Sequence, residues 1–83
     1  MASSIEESLR SILAEHLFVE RGKDEILSTH SLRHDLGLDS VGFVELREQV
    51  EKRFGVAISE GDFTPENFST ISSLTGLIDR LSR

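Results

Sequence analysis

Eighty-three residues make a single domain, 1–83, and the absence of cysteine excludes a disulfide, a thiolate nucleophile and a Cys-based zinc site. With five Phe, no Trp and no Tyr among many Leu, Ile and Val, the composition points to an aliphatic core and not to a surface that stacks on bases. The formal net charge of −6 sets up a field that repels nucleic-acid phosphates and anionic lipid heads, and that would steer the chain toward basic patches on partner proteins.

The start, Met1-Ala2-Ser3-Ser4-Ile5-Glu6-Glu7, has neither a basic region nor an apolar run and does not read as a secretory signal. No later stretch approaches the length of a membrane span, so a soluble, cytoplasmic protein is expected. Ser4 and Glu7 have the spacing of a capping box, and Ile5, Leu9, Ile12, Leu13 and Leu17 recur at intervals of three and four. This predicts a first helix over about residues 4 to 18, with Glu6 and Glu7 at the positive end of its dipole and Gly22 as its stop.

From about Glu20 to Asp39 the periodicity breaks down, and Ile26, Leu32, Leu36 and Leu38 stand apart among polar residues. A connection of this length inside a small domain is either disordered or functional, and four spaced aliphatic residues favour a loop pinned onto the core. Gly37, between Leu36 and Leu38, suggests a turn at positive φ that lets both neighbours pack inward. Asp39-Ser40 then offers an N-cap, and Phe43, Leu46, Val50 and Phe54 repeat at helical spacing up to Gly55. The second helix is predicted over about residues 40 to 54, with Val41 and Val44 off its apolar stripe and therefore exposed.

Thr64-Pro65-Glu66 has the form of a cap followed by a first-turn proline, which predicts a brief third helix through about Phe68. Ile71, Leu74, Leu77, Ile78 and Leu81 mark a fourth over about residues 70 to 82. Gly76 lies inside that helix at a cost of about 1 kcal/mol relative to Ala, which a close approach of helices would offset. No segment alternates as a strand does. The fold class is all-α: a four-helix bundle of three main helices and a short third one, with a long loop between helices one and two.

Chemistry concentrates at Asp39-Ser40-Val41, where the backbone N–H groups opening the second helix lack intrahelical partners. If Asp39 is the cap, Ser40 occupies the first helical position with its hydroxyl free and pointing outward. A phosphodiester there would lie against the positive end of the helix dipole. An isolated Asp-Ser before a helix would be no more than a cap. Here it follows a long loop and a Leu-Gly-Leu turn and precedes exposed valines.

Asp35-Leu36-Gly37-Leu38-Asp39-Ser40 resembles the phosphopantetheine attachment motif of acyl and peptidyl carrier proteins. Val44-Glu45-Leu46 and Glu51-Lys52-Arg53-Phe54-Gly55-Val56 resemble that family's second helix and the link after it, and Pro65 to Ile71 with Leu74 resembles its third and fourth helices. The likeness spans essentially the whole chain and implies the acyl-carrier type of bundle. It further implies that Ser40 Oγ attacks the β-phosphate of coenzyme A on a magnesium-dependent phosphopantetheinyl transferase, with Asp39 beside it. The arm's thiol would then hold an acyl or aminoacyl group as a thioester, on a free-standing, monomeric carrier that is not itself an enzyme.

The partners implied are that transferase, a loading enzyme (adenylating enzyme or acyltransferase), and ketosynthase, condensation or tailoring enzymes, with no nucleic acid and no membrane. The face they would meet is Val41, Val44, Glu45 and Glu48, valines for desolvated contact and carboxylates for partner Arg or Lys. The second helix is more uniformly acidic in carriers of bacterial fatty acid synthesis, and its interruption here by Arg47, Lys52 and Arg53 is a departure from that resemblance that favours secondary metabolism, polyketide or nonribosomal peptide, over a fatty-acid-synthesis carrier. An unmodified helical interaction module is the alternative from another class. His30 and His34 are four residues apart but lie in a loop with no evident third ligand, so no metal is expected, and His16 has no legible partner. Phe43, Phe54, Phe63 and Phe68 read as core residues that would line a cavity if the helices enclose one.

Overall fold

Leu9, Ile12 and Leu13 point to one side of the first helical segment, and the chain folds so that all three are fully buried. The computed structural model describes residues 4–17, 19 and 21–82; Met1-Ala2-Ser3, Phe18 at the expected end of the first helix, Glu20 at the expected start of the loop, and Arg83 lie outside the described residues. Regular helix α1 covers Ser4–Ser11, with Ser4 as its first residue. The Glu7 carboxylate pairs with Arg10 and Lys23, each at 3.8 Å. Over Ile12–His16 the helix widens to a π turn, closed by Leu17 N–H donating to Ile12 O at 3.1 Å, and just beyond it Val19 N–H donates to Leu13 O at 3.1 Å. The wider turn keeps Ile12 and Leu13 inside and lays Leu17 and Val19 on the same core. The helix therefore ends before Gly22, which instead opens a short 3-10 turn, Lys23–Glu25, with its N–H donated to Glu25 Oε1.

The long loop is pinned as its aliphatic residues predict. Ile26, Leu32, Leu36 and Leu38 are all buried and join α1 in the core, and Gly37 adopts φ +75° between the last two. Backbone ties supplement them: Arg10 Nε donates to Ile26 O at 2.7 Å, Ser72 N–H to Ser28 O at 3.0 Å and Leu32 N–H to Ser69 O at 2.9 Å. Each carbonyl or amide satisfied in this way is one fewer unpaired polar group under the loop.

Helix α2 covers Ser40–Phe54 and ends at Gly55 in the left-handed region, as the periodicity predicts. Helix α3 covers Ile71–Leu81 and buries Ile71, Leu74, Leu77 and Ile78. It starts on a reciprocal cap: Ser73 N–H donates to Thr70 Oγ1 at 3.1 Å, and Thr70 N–H donates to Ser73 Oγ at 3.0 Å. α1 packs on α3, and the π turn packs on α2.

The short third helix is reduced to one turn. Asn67 N–H donates to Thr64 Oγ1 at 3.2 Å and Phe68 N–H to Thr64 O at 3.0 Å, after which Thr70 is extended (φ −136°, ψ 169°). That extension forms an isolated antiparallel bridge with Ser31, so the turn cannot propagate without releasing the loop. Gly76 does not mark a close helix approach, since a Cβ there would meet nothing nearer than Arg80 Nη1 at 3.9 Å. Among the described residues no helix is long and apolar enough to cross a membrane.

Candidate functional site

Asp39 is extended and caps α2, its Oδ1 accepting from Gly42 N–H at 2.8 Å while its carbonyl accepts from Phe43 N–H at 2.9 Å. That leaves the N–H groups of Ser40 and Val41 without acceptors among the described residues, as the first turn of a helix must where nothing else supplies them. Ser40 is exposed, and its Oγ engages no described residue. The mouth of α2 thus offers a free hydroxyl, two unclaimed N–H donors and the positive end of a helix dipole.

Val41, Val44, Glu45 and Glu48 stand at i, i+3, i+4 and i+7 and form one stripe along α2. All four are exposed, and Val41 at 73% and Val44 at 50% are unusual for valine. Ser40, Phe43, Val44 and Arg47 form the adjoining stripe at the same spacing, so the free hydroxyl borders this surface.

Arg47 does not belong to the exposed face. Its Nη2 donates to Ile58 O, its Nη1 donates to Glu60 Oε1 at 3.3 Å, and its guanidinium lies 4.9 Å from the centroid of the Phe63 ring. Glu51, one turn on, accepts from Ile58 N–H at 2.7 Å. Both backbone groups of buried Ile58 are thus held by α2 side chains, and the charge of Arg47 is used against the linker. Lys52 and Arg53 remain exposed in the last turn, where cations suit the helix dipole.

Beside Phe43 on α2 lies an open cleft of about 440 Å³ between α2, the 31–34 turn and the 63–69 segment. Three Phe build its floor. Phe68 is buried, with Phe63 edge-on at 4.9 Å and Phe43 edge-on at 6.5 Å. Phe43 and Phe63 are only partly buried, so these two expected core residues are also cleft wall, whereas Phe54 packs against the core elsewhere. Arg33 and His34 on the rim were not legible as site residues, because only the tertiary tie of Leu32 to Ser69 turns them to this cleft.

A family model described as the phosphopantetheine attachment site matches residues 7–78. The chain belongs to the acyl and peptidyl carrier protein family. The carrier resembles a holo acyl carrier protein from Nitrosomonas europaea in fold, with a TM-score of 0.79 at 23% identity over 94% of each chain. It is also similar to a chain in the crystal structure of a Bradyrhizobium japonicum glycine:[carrier protein] ligase complexed with glycylated carrier protein. That match has a TM-score of 0.66 and 27% identity, over 88% of this chain and 92% of that one.

The group such carriers hold covalently is 4′-phosphopantetheine. The donor set at the mouth of α2 fits its phosphodiester: an exposed hydroxyl for the ester oxygen, two N–H groups free to meet the charged oxygens, and a cap carboxylate already occupied by Gly42. His30 Nδ1 accepts from Leu27 N–H at 3.0 Å, and the described residues contain no group of three or more candidate metal ligands.

Proposed function

We propose that Ser40 bears the phosphopantetheine arm and that this carrier presents an acyl or aminoacyl group to successive enzymes of secondary metabolism, of the polyketide or nonribosomal peptide kind. The reading is carried by the division of labour at the mouth of α2, where Asp39 caps and Ser40 Oγ is left exposed and unengaged. When bound, the arm supplies a terminal thiol for a thioester link to cargo. The chain's own residues do the rest: Ser40 and Val41 N–H groups steady the phosphodiester, and the Val41, Val44, Glu45 and Glu48 stripe meets the partner. Tethering raises the effective concentration of cargo wherever that stripe docks, so the carrier contributes position and its partners contribute catalysis.

Partners in this reading are a phosphopantetheinyl transferase, an adenylating or acyl-transferring loading enzyme, and ketosynthase, condensation or tailoring enzymes. The ligase complexed with a glycylated carrier supports the adenylating kind. With Arg47 held by the linker, the exposed stripe is acidic and suits partners with basic docking patches, and the secondary-metabolism reading rests on Lys52 and Arg53, the two cations that stay exposed in the last turn of α2.

The test is intact-mass spectrometry after incubation with coenzyme A, magnesium and a broad-specificity transferase, beside Ser40→Ala. One added phosphopantetheinyl group in the parent and none in the variant is expected. An unmodified parent, or a modified Ser40→Ala, would sink the assignment, and full biological activity of Ser40→Ala would favour an interaction module whose valines bind a partner helix.

A further inference from the structure

His30 belongs neither to the attachment motif nor to the exposed face of α2, yet it closes a turn of the long loop twice over. Its ring Nδ1 accepts from Leu27 N–H at 3.0 Å, and its own N–H donates to Leu27 O at 3.1 Å. The donor of the first bond is a backbone amide, so Nδ1 carries no proton there and the ring is the neutral tautomer with its hydrogen on Nε2. An added proton would go to Nδ1 and set a donor against a donor. The side-chain half of the closure therefore exists only while the imidazole is neutral. Contacts from three other parts of the fold converge on this turn. Arg10 Nε of α1 donates to Ile26 O just before it, Ser72 N–H of α3 donates to Ser28 O within it, and Ser31 just after it pairs with Thr70.

The charges around the turn offer a protonated ring no partner. α3 has no titratable side chain from Ile71 to Gly76, and its Asp79 and Arg80 stand about two turns further on. The 63–69 segment carries one carboxylate, Glu66, and meets the loop where Leu32 N–H donates to Ser69 O. α1 faces the turn with Arg10, which is paired with Glu6 and Glu7. On the loop itself Lys23 is paired with Glu7, Glu25 Oε1 accepts from Gly22 N–H and Asp35 Oδ2 accepts from Ser31 N–H, while Asp24, Arg33 and His34 are exposed. None of these side chains pairs with the His30 ring among the described residues. We infer that His30 is a pH-sensitive pin of the loop between α1 and α2. Neutral, it closes the 27–30 turn; protonated, it releases Leu27 N–H and loosens the loop locally, while fully buried Ile26 and Leu32 keep the core in place. Closure is present above the range in which imidazole titrates, about pH 5 to 8, and is lost as pH falls through it.

Solvent-exchange NMR on the unmodified full chain at about pH 8 and about pH 5 tests it, so the outcome does not depend on Ser40 being the attachment residue. Each amide rate is divided by the intrinsic rate at its pH, which leaves protection alone to be compared. Leu27 N–H is expected to lose about two- to tenfold of its protection between the two conditions, the equivalent of one hydrogen bond. Amides in the middle of α2 and α3 should keep theirs. In His30→Gln and in His30→Ala the protection of Leu27 is expected to be independent of pH, and in His34→Gln the dependence should persist. The ring nitrogen shifts of His30 at the higher pH should be those of the Nε2–H tautomer. Unchanged protection of Leu27 in the parent, a pH dependence that survives either His30 substitution or disappears in His34→Gln, or an Nδ1–H tautomer would overturn the inference. So would an equal loss at the centres of α2 and α3, since the whole domain would then be opening and not the turn.

Discussion

Asp39 and Ser40 are adjacent, both polar and both exposed, yet they differ because one side chain suffices to cap α2 and Asp39 supplies it. Asp39→Ala removes the acceptor for Gly42 N–H and is expected to cost about 1 kcal/mol in urea unfolding. Ser40→Ala removes an oxygen that binds no described residue and is expected to change stability by no more than about 0.5 kcal/mol. Equal losses for the two variants would mean that the serine is part of the cap, and its proposed role as the attachment nucleophile would go with it. Gly76 presents the opposite case, a glycine in a helix interior with room for a methyl group. Gly76→Ala is expected to stabilise the domain by about 1 kcal/mol, raising the thermal midpoint, and a lowered midpoint would reveal a close contact at that position.

At the scale of elements, the linker between α2 and α3 is held by side chains in place of a helix. Glu51→Ala leaves the N–H of buried Ile58 without its acceptor, and the expected loss is about 1–3 kcal/mol. Glu51→Gln, which keeps an acceptor oxygen, should lose less, and an unchanged urea midpoint for Glu51→Ala would show that the contact contributes nothing. The same clasp explains why the third helix can be as short as one turn. Ile58 and Phe68 are both anchored, and the stretch at Thr70 pairs with Ser31, so this segment follows the loop.

Across the whole molecule, the proposed attachment oxygen sits at the border between two surfaces of different kind. One is the valine and glutamate stripe, the other the Phe-floored cleft rimmed by Arg33 and His34. If partners dock on the proposed acidic stripe of this chain of charge −6, association is expected to slow as salt rises, with the dissociation rate much less affected. Stopped-flow association with a cognate loading enzyme at low and physiological ionic strength measures this, and a salt-independent rate would remove charge steering. Val44→Ser should weaken that complex mainly through faster dissociation while leaving urea stability within about 0.5 kcal/mol, because the side chain is half exposed in the free carrier.

Periodicity, caps and punctuation are local properties, so the sequence alone determined α2 from Asp39 to Gly55, the apolar face of α3, the aliphatic anchors of the loop and the place of Ser40 at a helix mouth. The exposure of Val41 and Val44 was legible too, because both fall off a clear apolar stripe. What needed the tertiary structure were contacts between segments remote in the chain: Arg47 and Glu51 closing on Ile58, Thr70 pairing with Ser31, and Leu32 tied to Ser69 so that Arg33 and His34 rim a cleft. The π turn belongs with these, since widening a helix by one residue answers to where Ile12, Leu13, Leu17 and Val19 must pack and leaves no local signature. A side chain's spacing along the chain states which face of its own helix it occupies; which neighbour meets that face is settled only when the segments pack.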